Sequence, residues 1–375
     1  MPKEIFKSPV RRPNTNPITA PLSEYVDYTP RRDLTAQDLD HNPNSISYAK
    51  ERRTQYYQQM ALESEDPLGD VNYMDSPIVR RHYGIDYSPP SYFDNKMRQA
   101  LDQDFLSRKK SWNIKDFSVE EYLGGGKFGL VWRAVERRTK KTVAIKILKK
   151  EEVEAANVVL FLKREIEIQV HLDHPHIVRL YGYFHDDDRV YLVMEYVGTL
   201  DLYSVLTEKK QLTEAEVVRY LLQLTDAVKY MHSLGVIHRD IKLENILVNK
   251  NNMLKIADFG WSVFDPKPRR NTFCGTLDYL PPEMIQNEPH TNSVDMWALG
   301  VLAYEMLAGY PPFSTSDQAE NPQRTYERIT KVDLVFDTNM SSGAKSFISK
   351  LLVKNPLKRM TASDIESDPW IVSTK

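Results

Sequence analysis

Three groups of residues in this chain have the types and spacing to handle a phosphate. The first is Gly124-Gly125-Gly126-Lys127-Phe128-Gly129-Leu130-Val131, which fits G-x-G-x-x-G-x-V between two predicted strands. Glycines there permit a tight turn and let backbone N–H groups approach phosphate oxygens without a Cβ in the way. The second is Val143-Ala144-Ile145-Lys146, a lysine in an apolar strand, which is costly unless an anion meets it. Glu165, nineteen residues on, would both satisfy and aim that ammonium. The third is His238-Arg239-Asp240-Ile241-Lys242-Leu243-Glu244-Asn245, followed by Asp258-Phe259-Gly260. Asp240 would accept the proton of an attacking hydroxyl, while the Asn245 amide oxygen and the Asp258 carboxylate would hold Mg2+ against phosphates. Each group alone is ordinary: a Gly-rich hairpin is usually a hairpin, and exposed Asp residues are common. In this order they point to phosphoryl transfer onto a hydroxyl. A dinucleotide-binding reading would need a helix directly after the glycines, where a strand is predicted instead.

These residues must be held by elements, and the pattern supplies them. Val119–Leu123, Val131–Val135 and Thr142–Leu148 read as short strands split by Gly or charged turns. A helix is predicted over Val153–Leu172, then strands near Ile177–Phe184 and Val190–Tyr196. Beyond that the pattern is helical: Ala215–Leu234, Val294–Ala308, Gly343–Leu352 and Ala362–Asp368. A small β-rich lobe before a larger helical one predicts an α+β fold with a cleft between the lobes.

Composition divides the 375 residues into two materials. About half of the 22 prolines precede residue 117, whereas only Gly69 and Gly84 of the 14 glycines do. Residues 1–116 are expected to be mostly disordered, because the recurring prolines block helix and no apolar period builds a core. Their nine tyrosines suit either a sticky chain or short docking segments, and helical stretches are conceivable near Ser47–Glu63 and Asp94–Lys109. A net charge of −2 gives no support to polyanion binding, so no direct nucleic-acid contact is expected. Cys274, the single cysteine, can form no internal disulfide and no multi-Cys zinc site, which suits a reducing compartment. No apolar run is long enough to span a membrane, and Met1-Pro2-Lys3-Glu4 lacks a signal-peptide core.

With these motifs in place, residues 117–370 resemble a eukaryotic protein kinase domain. The helical part adds Pro281-Pro282-Glu283, where that family usually has Ala-Pro-Glu, then Asp295-Met296-Trp297 and Arg359. The resemblance implies a bilobal fold, with an N-lobe of about 117–197 and a C-lobe of about 198–370, and a Glu283–Arg359 pair beneath the substrate platform. It implies ATP and Mg2+ as cofactors. It places Leu123, Gly124, Gly126, Lys127, Gly129, Val131, Lys146, Glu195, Val197, Glu244, Asn245 and Asp258 at the nucleotide, with Asn245 and Asp258 on the metal. Asp240, Lys242, Lys146 and Glu165 form the implied catalytic set. Lys242 and Gly275-Thr276 follow the serine/threonine pattern and not the tyrosine one. A non-catalytic scaffold with this fold is disfavoured, since the whole catalytic set is present.

Within that family, several stretches are similar to the Aurora kinases: Arg164–Gln169, Leu180–Asp186, Asp258–Ser262 and above all Thr272–Glu283. The competing group, basophilic kinases of the cyclic-nucleotide-dependent type, usually carries a long C-terminal tail, while this chain stops at Lys375. Departures are Leu243 for the usual proline, Asp368-Pro369-Trp370 for His-Pro-Trp, a longer Ser314–Arg324 segment and a divergent hinge at 195–201. The resemblance implies a regulatory phosphate on Thr272, with Arg164, Arg239 and Arg270 as its cationic partners. It implies substrates with Arg or Lys upstream of Ser/Thr, received by Asp201 and Glu244. Gln169 would enter an otherwise apolar stack with Leu180, His238 and Phe259 and pack poorly there. An activator of the inner-centromere-protein type, from the chromosomal passenger complex, would compensate on the N-lobe. Nuclear, kinetochore and spindle localisation is implied in the same way. Ser8-Pro9 and Thr29-Pro30 fit proline-directed phosphorylation, and Arg31-x-x-Leu34 fits a degradation signal.

Overall fold

The computed structural model describes residues 112–125, 129–155, 159–264, 276–315 and 322–375. The expectations for residues 1–111 lie outside these. The small lobe is a five-stranded sheet, β1 Phe117–Gly125, β2 Gly129–Glu136, β3 Thr142–Lys149, β4 Leu180–His185 and β5 Arg189–Glu195. Its order is β1-β2-β3-β5-β4, antiparallel throughout, so β3 lies at the centre and β4 at an edge. The central position explains why β3 is buried from Val143 through Leu148, both faces being covered. One face packs Phe117, Trp132, Val143, Ile145, Phe184, Tyr191 and Val193 together. The other meets two helices, α1 Lys150–Ala155 and α2 Val159–Gln169, through Leu148, Val153, Leu180 and Leu192, with Leu162 and Ile166 against them.

Two of the boundaries that differ from the expected ones flank residues 170–179. The helix expected to reach Leu172 ends at Gln169, and the strand expected from Ile177 begins at Leu180. Between them the chain turns to the large lobe: Val178 N–H donates to Ile256 O at 2.9 Å, and Ile177 bridges Ile256 alone. The backbone there is satisfied by a neighbour distant in sequence, which local periodicity does not report.

The large lobe opens with a two-residue strand, β6 Leu200–Asp201, then α3 Leu202–Lys209 and α4 Glu214–Ser233. A capping box of Thr213 and Glu216 starts α4. Short strands β7 Val236–Ile237, β8 Ile246–Val248, β9 Leu254–Ile256 and β10 Val263–Phe264 carry the loops between them. Then follow α5 Pro282–Ile285, α6 Ser293–Ala308, α7 Pro322–Lys331, α8 Ser342–Leu351, α9 Ala362–Ile365 and α10 Pro369–Thr374. The helix expected over 362–368 ends already at Ile365, and a further helix begins after Asp368, which caps it with Pro369 in its first turn. Helix α6 is the lobe's axis and is buried on nearly every side. It ends at Gly309, whose φ of +87° is left-handed and whose missing Cβ would stand 2.4 Å from Lys210 O.

Candidate active site

Strand β3 delivers Lys146 between Val131 of β2 and Leu192 of β5. Its Nζ donates to Glu165 Oε1 of α2 at 2.8 Å, with both side chains about nine-tenths buried. Burial works to lower the lysine pKa, but the carboxylates of Glu165 and Asp258 outweigh it and hold it above its ordinary value. The cation is therefore fixed in the cleft. Asp258 answers it: burial pushes its carboxyl up, yet Lys146, the Gly260 N–H, Lys242 and His238 together hold it below the usual range. Asp258 adopts φ +60°, a conformation uncommon for a non-glycine residue, so its neighbours must enforce it.

The loop that carries Asp240 is hung from α6. Asp295 is fully buried and accepts the N–H groups of His238 and Arg239 at 3.1 and 2.9 Å, with His232 Nε2 at 2.8 Å. Arg239 takes φ +67°. Beyond it, Asp240 Oδ2 lies 3.1 Å from Lys242 Nζ and accepts Asn245 Nδ2 at 2.9 Å. Asn245 Nδ2 also donates to Asp240 O, at 2.8 Å. Thr276 closes the group, accepting from Lys242 at 2.6 Å and donating to Asp240 Oδ1 at 3.4 Å. Asp240, Lys242 and Asn245 are all buried, so the carboxylate is oriented before any substrate arrives.

At the nucleotide end, Leu123 and Val131 are half-buried, and Gly124 has nothing within 4 Å of where a Cβ would stand. Gly126 and Lys127 lie outside the described residues. Gly129 differs from Gly124: a Cβ there would fall 2.1 Å from Ile147 O, so this glycine is required by strand packing. The Glu195 carboxylate is engaged by Lys255 at 3.0 Å and the Arg179 N–H at 3.3 Å, and its own N–H donates to Arg179 O at 2.8 Å. Val197 is half-buried in the segment joining the lobes. His238 packs edge-on to Phe259, with ring centroids 4.8 Å apart. Gln169 does not pack poorly, contrary to expectation: it is buried and its Nε2 donates to Val178 O at 3.0 Å.

The substrate side holds a group that sequence reasoning missed. Glu305 of α6 is buried and accepts the Tyr279 hydroxyl in a short hydrogen bond. Burial pushes its carboxyl up to about 7, the Tyr279 bond works against this, and the nearby charges of Glu244 and Asp278 add to the rise. A carboxylate inside the apolar run 294–308 was the available signal. Glu244 itself is exposed. Asp201 is half-buried and caps α3, accepting the Ser204 N–H at 2.7 Å. Thr272 and Arg270 lie outside the described residues, as does the Arg164 side chain. Arg239 Nε donates to Trp261 O at 2.8 Å, while its Nη1 is buried with no hydrogen-bond partner among the described residues. Glu283 and Arg359 pair through two bonds of 2.6 Å, and the guanidinium lies 5.0 Å from the Trp297 ring centre.

A family model for the protein kinase domain matches residues 117–371. Aurora kinase B of Mus musculus is 45% identical over 278 residues, covering 74% of this chain and 79% of its own. An Aurora kinase of Yarrowia lipolytica is 44% identical over 313 residues, 82% of this chain and 84% of the relative. Aurora kinase A-A of Xenopus laevis is 48% identical over 265 residues, 71% of this chain but 64% of the frog protein. The match thus spans a little under two thirds of the length of that relative.

Proposed function

Because the chain belongs to the protein kinase family and, within it, to the Aurora kinases, we propose that it moves the γ-phosphoryl group of ATP to Ser/Thr hydroxyls of protein substrates. The observation that carries this reading is the preset constellation of Asp240 with Lys242, Asn245 and Thr276, facing the buried Lys146–Glu165 pair and the Asp258 carboxylate. The residues suit ATP with Mg2+. Asn245 spends its amide nitrogen on Asp240 and so keeps its oxygen for a cation, and Asp258 is held ionised. Two protein ligands suit a magnesium ion that takes its other ligands from phosphate and water. Bound ATP with Mg2+ supplies the transferable phosphoryl group and neutralises its charge.

The protein's own part is positioning and one proton. Lys146 orients phosphate oxygens, with Glu165 aiming it. Asp240 receives the hydroxyl proton, and Lys242 stands beside both. On the substrate side, Glu244, Glu305 and Asp278 form an acidic receptor for upstream Arg or Lys, with Asp201 at its hinge end. Burial is the main cause of the raised Glu305 carboxyl, and a substrate cation there would relieve the repulsion from Glu244 and Asp278 that adds to it.

Activity is switched by phosphate on Thr272, for which Nη1 of Arg239, without a partner among the described residues, is a ready donor, joined by Arg164 and Arg270. An inner-centromere-protein-type activator docks on the N-lobe, where Tyr183 of edge strand β4 is 56% exposed. Of residues 1–116, Trp112 and Ile114 already pack against the small lobe, and the rest form the regulatory and targeting tail of the kinase domain at 117–370. Kinship with Aurora kinases supports mitotic work at chromosomes and the spindle. Transfer of label from ATP to a basic peptide, abolished in Asp240→Asn, tests the assignment. Equal transfer by both proteins would overturn it.

A further inference from the structure

The turn between β2 and β3 reads Arg137-Arg138-Thr139-Lys140-Lys141, four cations in five positions. A fifth, Lys115, is brought beside them: Arg137 N–H donates to Asp116 O at 2.8 Å, and its Nε to Lys115 O at 3.1 Å. Lys115, Arg137, Arg138 and Lys140 are exposed, and Lys141 is half-buried. The two acids of these segments are engaged by backbone donors. Glu136 is buried, and its carboxylate accepts the N–H groups of Arg138 at 3.3 Å and Thr139 at 2.6 Å, together with the Thr139 hydroxyl. Asp116 accepts the Asn113 N–H at 3.0 Å. Five cations against two acids make this end of the lobe locally positive, in a chain whose net charge is −2. The turn also holds one of these charges under strain. Lys140 adopts φ +60°, a left-handed conformation that glycine takes without steric cost. It is closed there by Lys140 N–H to Glu136 O at 2.8 Å and Glu136 N–H to Lys141 O at 2.9 Å. A lysine kept where glycine would serve the turn implies a use for its side chain.

Position limits what that use is. Phe117 pairs with Glu136 and Gly125 with Leu130, so the basic turn lies at the far end of β1 and β2 from the Gly-rich turn, about 20 Å away along β2. It borders edge strand β1, whereas Tyr183 is on β4, the opposite edge of the sheet. Farther along β1, Glu120 and Glu121 both pair with Arg133, at 3.1 and 2.9 Å, and the basic surface ends there. A surface this short suits a run of a few carboxylates. Nucleic acid draws its affinity from a longer track of phosphates, and the turn has no aromatic ring on which a base could stack. It has no large apolar side chain to enter a membrane either.

We propose that the β2–β3 turn, with Lys115 beside it, docks an acidic segment of a protein partner. The surface is separate from the cleft and from the β4 edge, so a partner held there leaves the nucleotide and substrate sites open. The test measures binding of fluorescein-labelled decaglutamate to the full chain by anisotropy, in about 50 mM NaCl so that screening is weak. Lys140→Gly should hold the urea midpoint of the wild type or raise it, since glycine relieves the left-handed backbone. Combined with Arg138→Ala, it should weaken decaglutamate binding roughly fivefold or more. Removing two exposed charges from the large lobe instead, in Lys354→Ala with Lys358→Ala, should change binding by less than about twofold. No binding by the wild type, no loss in Arg138→Ala with Lys140→Gly, or equal loss in the two double variants would overturn the proposal. Tighter binding of a DNA duplex of equal charge, or of vesicles containing phosphatidylserine, would overturn it as well.

Discussion

Removing the Glu283 carboxylate should cost this protein a large part of its stability. Glu283 and Arg359 are each about 1–2% exposed at the side chain and meet through two bonds of 2.6 Å. Arg359 is also held by the carbonyls of Val353 and Ser293, at 2.9 and 3.1 Å, and by the Trp297 ring. In Glu283→Ala the guanidinium thus stays buried, and its charge is left uncompensated. Breaking one side of a buried pair costs about 3–5 kcal/mol. For a folded unit of this size that corresponds to a fall in Tm of roughly 6–20 °C. A charge-retaining swap cannot repair the loss, because lysine lacks the planar fork that matches a carboxylate in two bonds.

The measurement is urea unfolding of the full chain, followed by tryptophan fluorescence, for Glu283→Ala, Arg359→Met and the double variant. The single losses should not add: each single variant leaves one buried charge without its partner and the double variant leaves none, so the double variant should lose clearly less than the sum of Glu283→Ala and Arg359→Met. A Glu283→Ala protein within about 1 kcal/mol of wild type would refute the reasoning, as would strict additivity. The consequence for function is local. Glu283 lies in α5, just after Leu280-Pro281 and near Thr276, so the platform beside Asp240 loosens when the pair is broken.

Four further outcomes are expected. The Glu305 carboxyl is raised from the ordinary 4.5 to about 7, so the stability tied to its neutral form is full below about 4.5 and lost as pH rises through about 7. Urea midpoints of wild type and Glu305→Gln should therefore diverge over that window, with Gln the flatter. Glu165→Gln should fold normally yet lose roughly 10²–10³-fold in kcat, because Lys146 is no longer aimed; a loss under fivefold in a radiometric assay would count against the ion pair. Gly309→Ala should lose about 2–3 kcal/mol, from a left-handed φ of +87° and a Cβ placed 2.4 Å from Lys210 O; an unchanged urea midpoint would disprove this. Thr272→Ala should lose most of its turnover on a basic peptide, and near-wild-type activity would remove the switch.

The reach of sequence reasoning followed the range of the interactions. Lys146, Asp240, Asn245 and Asp258 were legible because each sits in a run whose neighbours share the task, and residue type plus spacing implies the chemistry. Strands β1 to β3 and helices α4 and α6 were legible from periodicity for the same local reason. Gln169 was misjudged, since its satisfaction depends on Val178 O, supplied by a loop that turns toward β9. Gly129 was assigned to phosphate, and the fold also sets it against Ile147 O on the facing strand, where no Cβ fits. Asp201 was taken as a substrate acid, and the fold also gives it a helix to cap.

By itself, then, the sequence determined which chemical groups this protein owns and the order in which they come. A carboxylate, an amide, a lysine and a glycine turn keep their intrinsic chemistry wherever they are placed. Tertiary structure decided how those groups are charged and aimed. Asp295 organises the catalytic loop from 57 residues away, and Arg359 meets Glu283 across 76. Glu305 acquires its raised carboxyl only where α6 buries it beside Tyr279 and Glu244. Burial and the proximity of distant charges are properties of the packed chain, and they set the strength of every electrostatic interaction in the cleft.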